Sequence, residues 1–435
     1  MLSLIVCVTA WISVVATAIY YVIHFAQRFP YADDWNMVVP VLARVQRFDI
    51  GWLWSQYNEH RIFIPRLAFV ALGRIDHGDF RAPVLLNVAL LAVMSALFLV
   101  AARRRRGTTS LSDCFFPFML LHLLQSSVFW GAQFQFVSSS FLFCIAVFVI
   151  VFSERLSVAR LVVIAVVSVL LPLCGGNGLA LAPPLAAWLF VHGLYRLRRG
   201  ERAESIVALS GSLAVVALSI GYLIGWDAGK HPWEDPHLAT AAPVALQFAA
   251  AGFGPDLALL WPAGGVVIGV LAVYAVGVLI RGVTREGCDG RAFALLVLVL
   301  ALALLAATVG WSRAARRWPL FLEYHYAPLA LPIPCVLYLV SLCYGTHGPR
   351  RIGAIARWSL LVLAGAVYYD SVPRGAHPHV AEMTAFAADI ATGASAHDLV
   401  ARHIHLLASS DSPDERATIE RGLQGLFDAG YYRGH

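Results

Sequence analysis

Two adjacent carboxylates, Asp33 and Asp34, stand shortly after the first apolar segment of the chain, within Tyr31-Ala32-Asp33-Asp34-Trp35. Neighbouring carboxylates at a membrane surface repel each other and lose solvation, so the pKa of one of them should rise. A raised pKa suits a general base, which must hold a proton transiently near the working pH. Alternatively, one of the two caps a helix that begins near Trp35. The two roles are compatible, because one carboxylate can cap the helix while the other reacts.

A second polar group, Asn58-Glu59-His60-Arg61, follows in the same stretch of chain, among Trp and Ile residues. Four consecutive polar side chains are costly to bury in such surroundings unless they form hydrogen bonds. In a functional role they would hold sugar hydroxyl groups or orient the acidic pair; the alternative is a solvated loop or a local ion pair between Glu59 and Arg61. His60 could ligate a metal ion together with the acidic pair, but the spacing is not diagnostic. We therefore predict no metal site.

A third polar group lies late in the chain, between two apolar segments. It comprises Trp311, Arg313, Arg316, Arg317 and Trp318, followed by Glu323-Tyr324-His325-Tyr326. Planar guanidinium groups match phosphate oxygens in geometry, and the flanking Trp residues would place them at headgroup depth. The pattern fits a lipid phosphate or pyrophosphate. The alternative is a non-specific attraction to anionic phospholipids.

The composition indicates what kind of protein must position these groups. Of the 435 residues, 59% are hydrophobic and 13% are charged, whereas a soluble globular protein has roughly 45–50% apolar and about 25% charged residues. This excludes a soluble enzyme, a disordered protein and a nucleic-acid binder with a basic surface. The net charge of +6 comes from basic residues in short loops, where they orient a helical bundle. The sequence therefore predicts an integral membrane protein with no nucleic-acid partner.

About eleven apolar windows approach the ~20 residues that a membrane helix requires. They are 3–25, 83–102, 112–130, 134–152, 159–174, 178–195, 204–226, 257–280, 292–310, 326–344 and 355–370. Arg-rich loops follow every second window, and they alternate with outer segments, of which the short turns 131–133 and 174–177 carry no Lys or Arg. By the positive-inside rule, the N-terminus is cytoplasmic and, with an odd number of helices, the C-terminus is periplasmic. We predict an all-α, multi-pass bundle in the cell inner membrane.

Two large segments then face the outer side. The first periplasmic loop, about 26–82, mixes Trp and Ile with charged residues, which favours amphipathic helices at the membrane interface. The transmembrane domain, 1–370, is followed by a C-terminal tail, 371–435. There Ser412-Pro413-Asp414-Glu415 offers an N-cap, a proline at the first helical position and an acidic first turn. We expect the tail to form a small helical hairpin that caps the outer face.

A cytoplasmic N-terminus, about eleven spans and a long first outer loop with an acidic pair after the first helix resemble the GT-C superfamily of membrane glycosyltransferases. The resemblance implies a polyprenyl-phosphate-linked sugar as donor, and transfer on the periplasmic face to a cell-envelope glycan or lipid acceptor. Asp33 would be the general base that deprotonates the acceptor hydroxyl, and Asp34 would orient it or bind the acceptor. No cofactor is expected, because the sugar–phosphate bond already has a good leaving group.

The late loop of this family often presents a basic residue and a tyrosine to the donor phosphate, and the resemblance implies an Arg-Tyr pair. This chain has Glu323-Tyr324-His325-Tyr326 at that position, so we expect Arg313, Arg316 and Arg317 to bind the phosphate instead. The other expected substrate contacts are Tyr31, Trp35, Asn58, Glu59, His60, Arg61, Tyr324, His325 and Tyr326. Two alternatives remain open, namely an O-antigen polymerase or ligase and a transporter of lipid-linked glycans. Membrane lipids are expected partners in every case.

Overall fold

The computed structural model describes residues 1–26, 28–44, 49–73, 75, 79–125, 134–227, 237–254, 261–284, 289–314, 326–345, 350–375, 380–408 and 411–432. Within these ranges the backbone is helical, and its only β-type pairing is one isolated bridge between Tyr57 and His60. In chain order the helices are α1 (Leu2–Phe25), α2 (Trp35–Arg44), α3 (Ile50–Trp54), α4 (Phe63–Gly73), α5 (Arg81–Arg106), α6 (Phe115–Leu120), α7 (Phe134–Phe152), α8 (Val158–Leu170), α9 (Gly176–Arg198), α10 (Arg202–Leu223), α11 (Leu238–Ala251), α12 (Trp261–Thr284), α13 (Gly290–Ser312), α14 (Ala327–Ala330), α15 (Pro332–Tyr344), α16 (Arg350–Gly375), α17 (Val380–Ala391), α18 (Ala396–Leu407) and α19 (Pro413–Asp428).

Nine helical segments of the described chain are long and apolar enough to cross a membrane. They are α1, α5, α7, α9, α10, α12, α13, the consecutive pair α14–α15, and α16. Two of the eleven predicted spans correspond to shorter helices, since Leu111–Leu120 covers part of window 112–130 and Val158–Cys174 covers window 159–174. The prediction of a multi-pass helical membrane protein is thus confirmed, with nine long helices in the described part.

The pair α14–α15 forms the centre of the bundle. Of its apolar window 89% is buried, whereas only 17% of the window in α1 is buried. Peripheral helices can expose apolar side chains because lipid tails are as apolar as a protein core. The hydroxyl of Ser140 in α7 donates to the carbonyl of Pro328 at 2.7 Å, which fixes the start of α14 against α7. The residue just before α14, Tyr326, is buried at the same place.

The two ends of the bundle can be identified by the ion pairs that they contain. At one end, called here the Arg106 end, Arg106 donates to Asp113 at 2.7 Å and Arg104 to Glu154 at 3.4 Å. Helix α13 starts there, because Arg291 donates to the carbonyl of Ser153. The other end of α13 is followed by Arg313, which pairs with Glu59; this is called here the Glu59 end. Arginines from two of the predicted Arg-rich loops therefore lie at this end together with Ser153 and Glu154, which begin a third such loop, a helix length away from Glu59.

The first long loop folds into α2, α3 and α4, so the helices predicted for it are present. The side chain of Asp49 accepts the backbone N–H of Trp52 at 3.0 Å and caps α3. The guanidinium of Arg66, in α4, lies 4.8 Å from the centroid of the Trp52 ring and donates to the carbonyl of Ser55 at 2.6 Å. These contacts fix α3 on α4, and together they hold the residues that follow α3 in place.

The C-terminal tail forms three helices, α17, α18 and α19, whereas a two-helix hairpin was expected. Helix α19 has the predicted start, because Ser412 accepts the N–H of Glu415 at 3.2 Å and Pro413 is the first helical residue. The three helices bury an apolar cluster together with the first loop. This C-terminal cluster contains Phe29, Trp35, Val38, Phe386, Leu399, Leu407, Ile419, Leu423, Leu426 and Phe427. The tail therefore packs directly beside the acidic pair.

Candidate functional site

A tight turn after α3 carries the polar group of the first loop. The backbone N–H of Tyr57 donates to the carbonyl of His60 at 2.6 Å, and the N–H of His60 donates back to Tyr57 at 2.8 Å. Asn58 has a φ of 47°, a left-handed conformation that Asn adopts more readily than most residues. The closed turn therefore fixes the backbone from which Glu59 and His60 project.

Glu59 forms an ion pair with Arg313, the residue that follows α13. Nη2 of Arg313 donates to Oε1 of Glu59 at 2.8 Å, and Nε of the same guanidinium donates to the hydroxyl of Tyr326 at 2.7 Å. Burial alone would raise the pKa of Glu59, but His60 and Arg313 lower it to about 2. Burial likewise disfavours the charged form of Arg313, but Tyr326 and Glu59 outweigh it and raise its pKa. Both side chains are therefore charged at neutral pH.

His60 connects this ion pair to the start of α9. Its Nδ1 accepts the backbone N–H of Gly176 at 3.3 Å, so in the neutral ring the proton is on Nε2, which lies 3.7 Å from Oε1 of Glu59. Burial lowers the pKa of His60, with a smaller opposing effect from Glu59. A Cβ atom at Gly176 would lie only 2.8 Å from Nδ1. Glycine at this position is thus what lets the imidazole approach the helix.

Arg61 is buried and anchors the turn to α10. Its Nε donates to the carbonyl of Tyr222 at 2.9 Å, Nη1 to that of Trp54 at 2.9 Å and Nη2 to that of Ile224 at 2.8 Å. Its guanidinium is therefore directed at backbone carbonyls, and Glu59 pairs with Arg313 rather than with Arg61. The local Glu59–Arg61 ion pair considered from the sequence is not formed. The contacts of Arg61 are those of a structural residue.

The acidic pair lies in a short 3₁₀ turn, Ala32–Asp34, that leads directly into α2. Asp33 is exposed, whereas Asp34 is buried. Burial raises the pKa of Tyr57, and the charge of Asp33 raises it further. The amide of Asn36 donates to the Tyr57 hydroxyl at 3.3 Å. Tyr57 and Asn36 therefore connect the acidic pair to the turn that carries Glu59.

Of the two aromatic residues beside the acidic pair, Trp35 packs among the C-terminal helices and Tyr31 packs against the apolar core of the transmembrane bundle. Trp35 is only 2% exposed, and its indole N–H donates to the carbonyl of Leu407 at 3.0 Å. Burial raises the pKa of Tyr31, and the charge of Glu415 in α19 adds to this. Trp35 thus lies in the C-terminal cluster rather than on an open surface, so the structure gives it a packing role.

The sequence reasoning missed two residues of this site, Asn36 and Tyr57, which are described above. Each stands next to a polar group that was singled out, so the amide and aromatic neighbours of those groups were a signal that could have found them. Trp226, the last residue of a predicted span, also belongs to the site, because its indole N–H donates to the carbonyl of Glu59 at 2.9 Å. Four predicted substrate contacts, Arg316, Arg317, Tyr324 and His325, lie outside the described residues.

Within the described residues no group of three or more His, Cys, Asp and Glu side chains could hold a metal ion. What the site contains is one exposed carboxylate, an ion pair, a neutral imidazole and two tyrosine hydroxyls, all at the Glu59 end. Such a set can move a proton and stabilise an anion. No protein-family model, curated protein or solved structure matches the chain.

Proposed function

We propose that this chain is a GT-C-type membrane glycosyltransferase that moves a sugar from a polyprenyl-phosphate donor to a cell-envelope glycan or lipid acceptor. One observation carries the proposal: Glu59 of the first loop and Arg313 of the late loop form an ion pair at 2.8 Å. Tyr57, on which the charge of Asp33 acts, stands in the same turn as Glu59, so the acidic pair and Arg313 both border this turn. The Arg106 end, by contrast, holds arginines paired with Asp113 and Glu154.

In the proposed reaction Asp33 acts on the acceptor and Arg313 acts on the donor phosphate. The exposed carboxylate of Asp33 takes the proton of the acceptor hydroxyl, whose oxygen forms the new bond to that carbon. The bond from carbon to the phosphate oxygen breaks, and its electron pair leaves with the polyprenyl phosphate. Arg313 stabilises the charge that develops on the phosphate, as a preorganised donor should. The residues supply the base and the clamp without a cofactor.

The contact between Arg313 and Tyr326 further supports the proposal. GT-C enzymes often present a basic residue with a tyrosine to the donor phosphate. Glu323-Tyr324-His325-Tyr326 contains no Arg-Tyr pair, but Nε of Arg313 donates to the Tyr326 hydroxyl at 2.7 Å across the late loop. In the described contacts, Nη2 of Arg313 donates one of its two N–H groups to Glu59. A phosphate oxygen of the donor can accept a hydrogen bond from the other.

The proposed topology has eleven crossings, with a cytoplasmic N-terminus in the inner membrane and the Glu59 end in the periplasm. Val158–Cys174 starts after Ser153, at the Arg106 end, and ends before Gly176, which contacts His60 at the Glu59 end. The chain between Arg106 and Phe134 likewise joins the two ends. These two segments add to the nine long helices, and arginines grouped at the Arg106 end favour its cytoplasmic placement.

The alternative proposal is an O-antigen polymerase or ligase, or a transporter of lipid-linked glycans. A polymerase or ligase would use Arg313 but would not need Asp33. A transporter would have its ionisable groups near the bilayer midplane, whereas Glu59, His60 and Arg313 lie at one end of the bundle. Loss of function on neutralising Asp33 therefore separates the transferase from both alternatives.

Asp33→Asn tests the proposal, with Asp49→Asn as the matched control. We expect wild-type membranes to transfer labelled sugar from synthetic isoprenoid-phosphate hexoses or pentoses. The Asp33→Asn variant should transfer it at a rate at least about 100-fold lower. Asp49 is a carboxylate of the same loop that caps α3, and Asn caps a helix as well as Asp does. Its variant should transfer at the wild-type rate. Full transfer by Asp33→Asn would reject the assignment.

A further inference from the structure

The C-terminal helices hold the chain on both sides of the acidic pair. Before the pair, Phe29 packs edge-on against Phe386 of α17 with ring centroids 4.5 Å apart. The hydroxyl of Tyr432 also donates to the carbonyl of Arg28 at 3.0 Å. After the pair, Trp35 lies in the same apolar cluster. The turn that presents Asp33 is thus held between two anchors that the tail supplies.

The seat of Trp35 is unusually close-fitting. Its indole N–H donates to the carbonyl of Leu407 at the end of α18, at 3.0 Å. On the other side the ring lies against Gly422 of α19, where a Cβ atom would be only 2.7 Å from Cε3 of the indole. A glycine in a helix interior costs roughly 0.5–1 kcal/mol relative to alanine. Here the glycine lets the indole of Trp35 pack closely against the helix, and this contact offsets the cost.

We propose that the C-terminal helices position the acidic pair for the transfer reaction, with Trp35 as the positioning residue and Gly422 and Leu407 as its seat. Trp35 directly follows Asp34 in the chain, so a displacement of its indole moves the 3₁₀ turn Ala32–Asp34. That turn acts on Tyr57, whose pKa is raised by burial and then by the charge of Asp33. The inference rests on the proposed function, because it assumes that Asp33 is the base.

Gly422→Ala tests this proposal, and Gly425→Ala is its control. Gly425 lies on the same helix one turn away, but a Cβ there would be 3.5 Å from Cδ1 of Leu42, an ordinary contact. Both changes raise helix propensity equally, whereas only the first displaces Trp35. We expect Gly422→Ala to lower kcat about 10- to 100-fold with KM within about twofold, because a shift of ~1 Å at a reacting group has such an effect. Gly425→Ala should match the wild type.

Rescue separates positioning from general destabilisation. Trp35→Phe shortens the ring that meets Gly422, so rescue here means that Gly422→Ala lowers kcat no further when it is added to Trp35→Phe. If Gly422→Ala does not accumulate in membranes, Trp35→Phe alone carries the test: losing the bond to Leu407 should lower kcat about three- to tenfold at unchanged KM. An unchanged kcat per folded molecule, or no rescue, would overturn the proposal.

Hydrogen exchange distinguishes this proposal from the proposed function. Amides of residues 29–38 should exchange at least about tenfold faster in Gly422→Ala than in Gly425→Ala, whether or not sugar transfer is detected. If the wild type transfers no sugar while exchange behaves as expected, the function fails and the anchoring stands. If transfer depends on Asp33 but exchange and kcat are the same in both variants, the positioning role fails and the function stands.

Discussion

Nη2 of Arg313 lies 2.8 Å from Oε1 of Glu59, although 254 positions separate the two residues in the chain. Both side chains are largely buried, with about a fifth of each exposed. A largely buried ion pair of this kind does not guarantee stability, but breaking it by removing one partner leaves an uncompensated charge. Substitutions in the Glu59–Arg313 pair should therefore change both the stability of the protein and its affinity for the ligand.

Glu59→Gln should lower stability by about 1–3 kcal/mol near neutral pH. The pKa of Glu59 is lowered from 4.5 to about 2 in the folded protein. The stabilisation is therefore fully present above pH 4.5, and it is lost as the pH falls toward 2. Thermal unfolding in detergent should show a constant gap between wild type and variant above about pH 5, and a narrowing gap below it.

Glu154→Gln is the control for this measurement. Glu154 pairs with Arg104 at 3.4 Å, but its side chain is 75% exposed. Exposed pairs contribute about 0–1 kcal/mol, so this variant should unfold close to the wild type at every pH. Equal losses in the two variants would show that burial of Glu59 adds nothing to the pair.

His60 should make the protein less stable in mildly acidic solution. Its pKa lies below the usual 6.5 because it is buried, so the unfolded chain binds a proton that the folded chain does not. The corresponding stability is complete above pH 6.5 and is lost as the pH falls below that value. When the pH is lowered from about 6.5 to 5, thermal unfolding should show a smaller loss of stability in His60→Gln than in the wild type. His397→Gln, at a site with 77% of its side chain exposed, should keep the wild-type slope.

Gly176→Ala should displace His60 and destabilise the folded protein. A Cβ at Gly176 would lie 2.8 Å from Nδ1 of the imidazole, whereas one at Gly269 in α12 would meet no atom within 4 Å. We expect Gly176→Ala to unfold about 1–3 kcal/mol more easily and Gly269→Ala to be neutral or slightly stabilised. If both variants unfold with the same free energy, the close packing of His60 on α9 does not contribute to stability.

Arg313→Ala should weaken donor binding more than acceptor binding. We expect at least about a tenfold loss of affinity for a fluorescent isoprenoid phosphate, and at most about a twofold change in the KM for acceptor. Arg313→Lys should bind the isoprenoid phosphate nearly as weakly as Arg313→Ala. An ammonium group lacks the planar guanidinium that donates to Glu59 and Tyr326 at the same time. Arg421→Ala, an exposed site on α19, is the control. Equal losses for donor and acceptor would indicate mere attraction to a charged surface.

Features set by neighbouring residues could be predicted from the sequence. Helix α19 starts at Ser412 and Pro413 and buries Ile419 and Leu423, as its capping residues and helical spacing indicated. Long apolar windows likewise predicted nine helices that the described residues contain. The window 112–130 was less informative, because average hydropathy does not detect that its described helix ends at Leu120.

Features that depend on distant pairing could not be predicted. Nothing local in Arg61 shows that its guanidinium binds the carbonyls of Tyr222 and Ile224. The same holds for Arg313 and Tyr326, which meet although the Arg–Tyr pattern is missing from consecutive positions. Helix α17 and the docking of the tail on Trp35 also depend on tertiary contacts.

The most direct test of the shared site is a cryo-EM structure of the inactive Asp33→Asn variant with an isoprenoid-phosphate hexose bound. The phosphate should lie within ~3 Å of the Arg313 guanidinium, with the sugar between it and residue 33. A head group bound instead at the Arg106 end, or at the Glu59 end but out of reach of residue 33, would contradict a single site built from the first loop and Arg313.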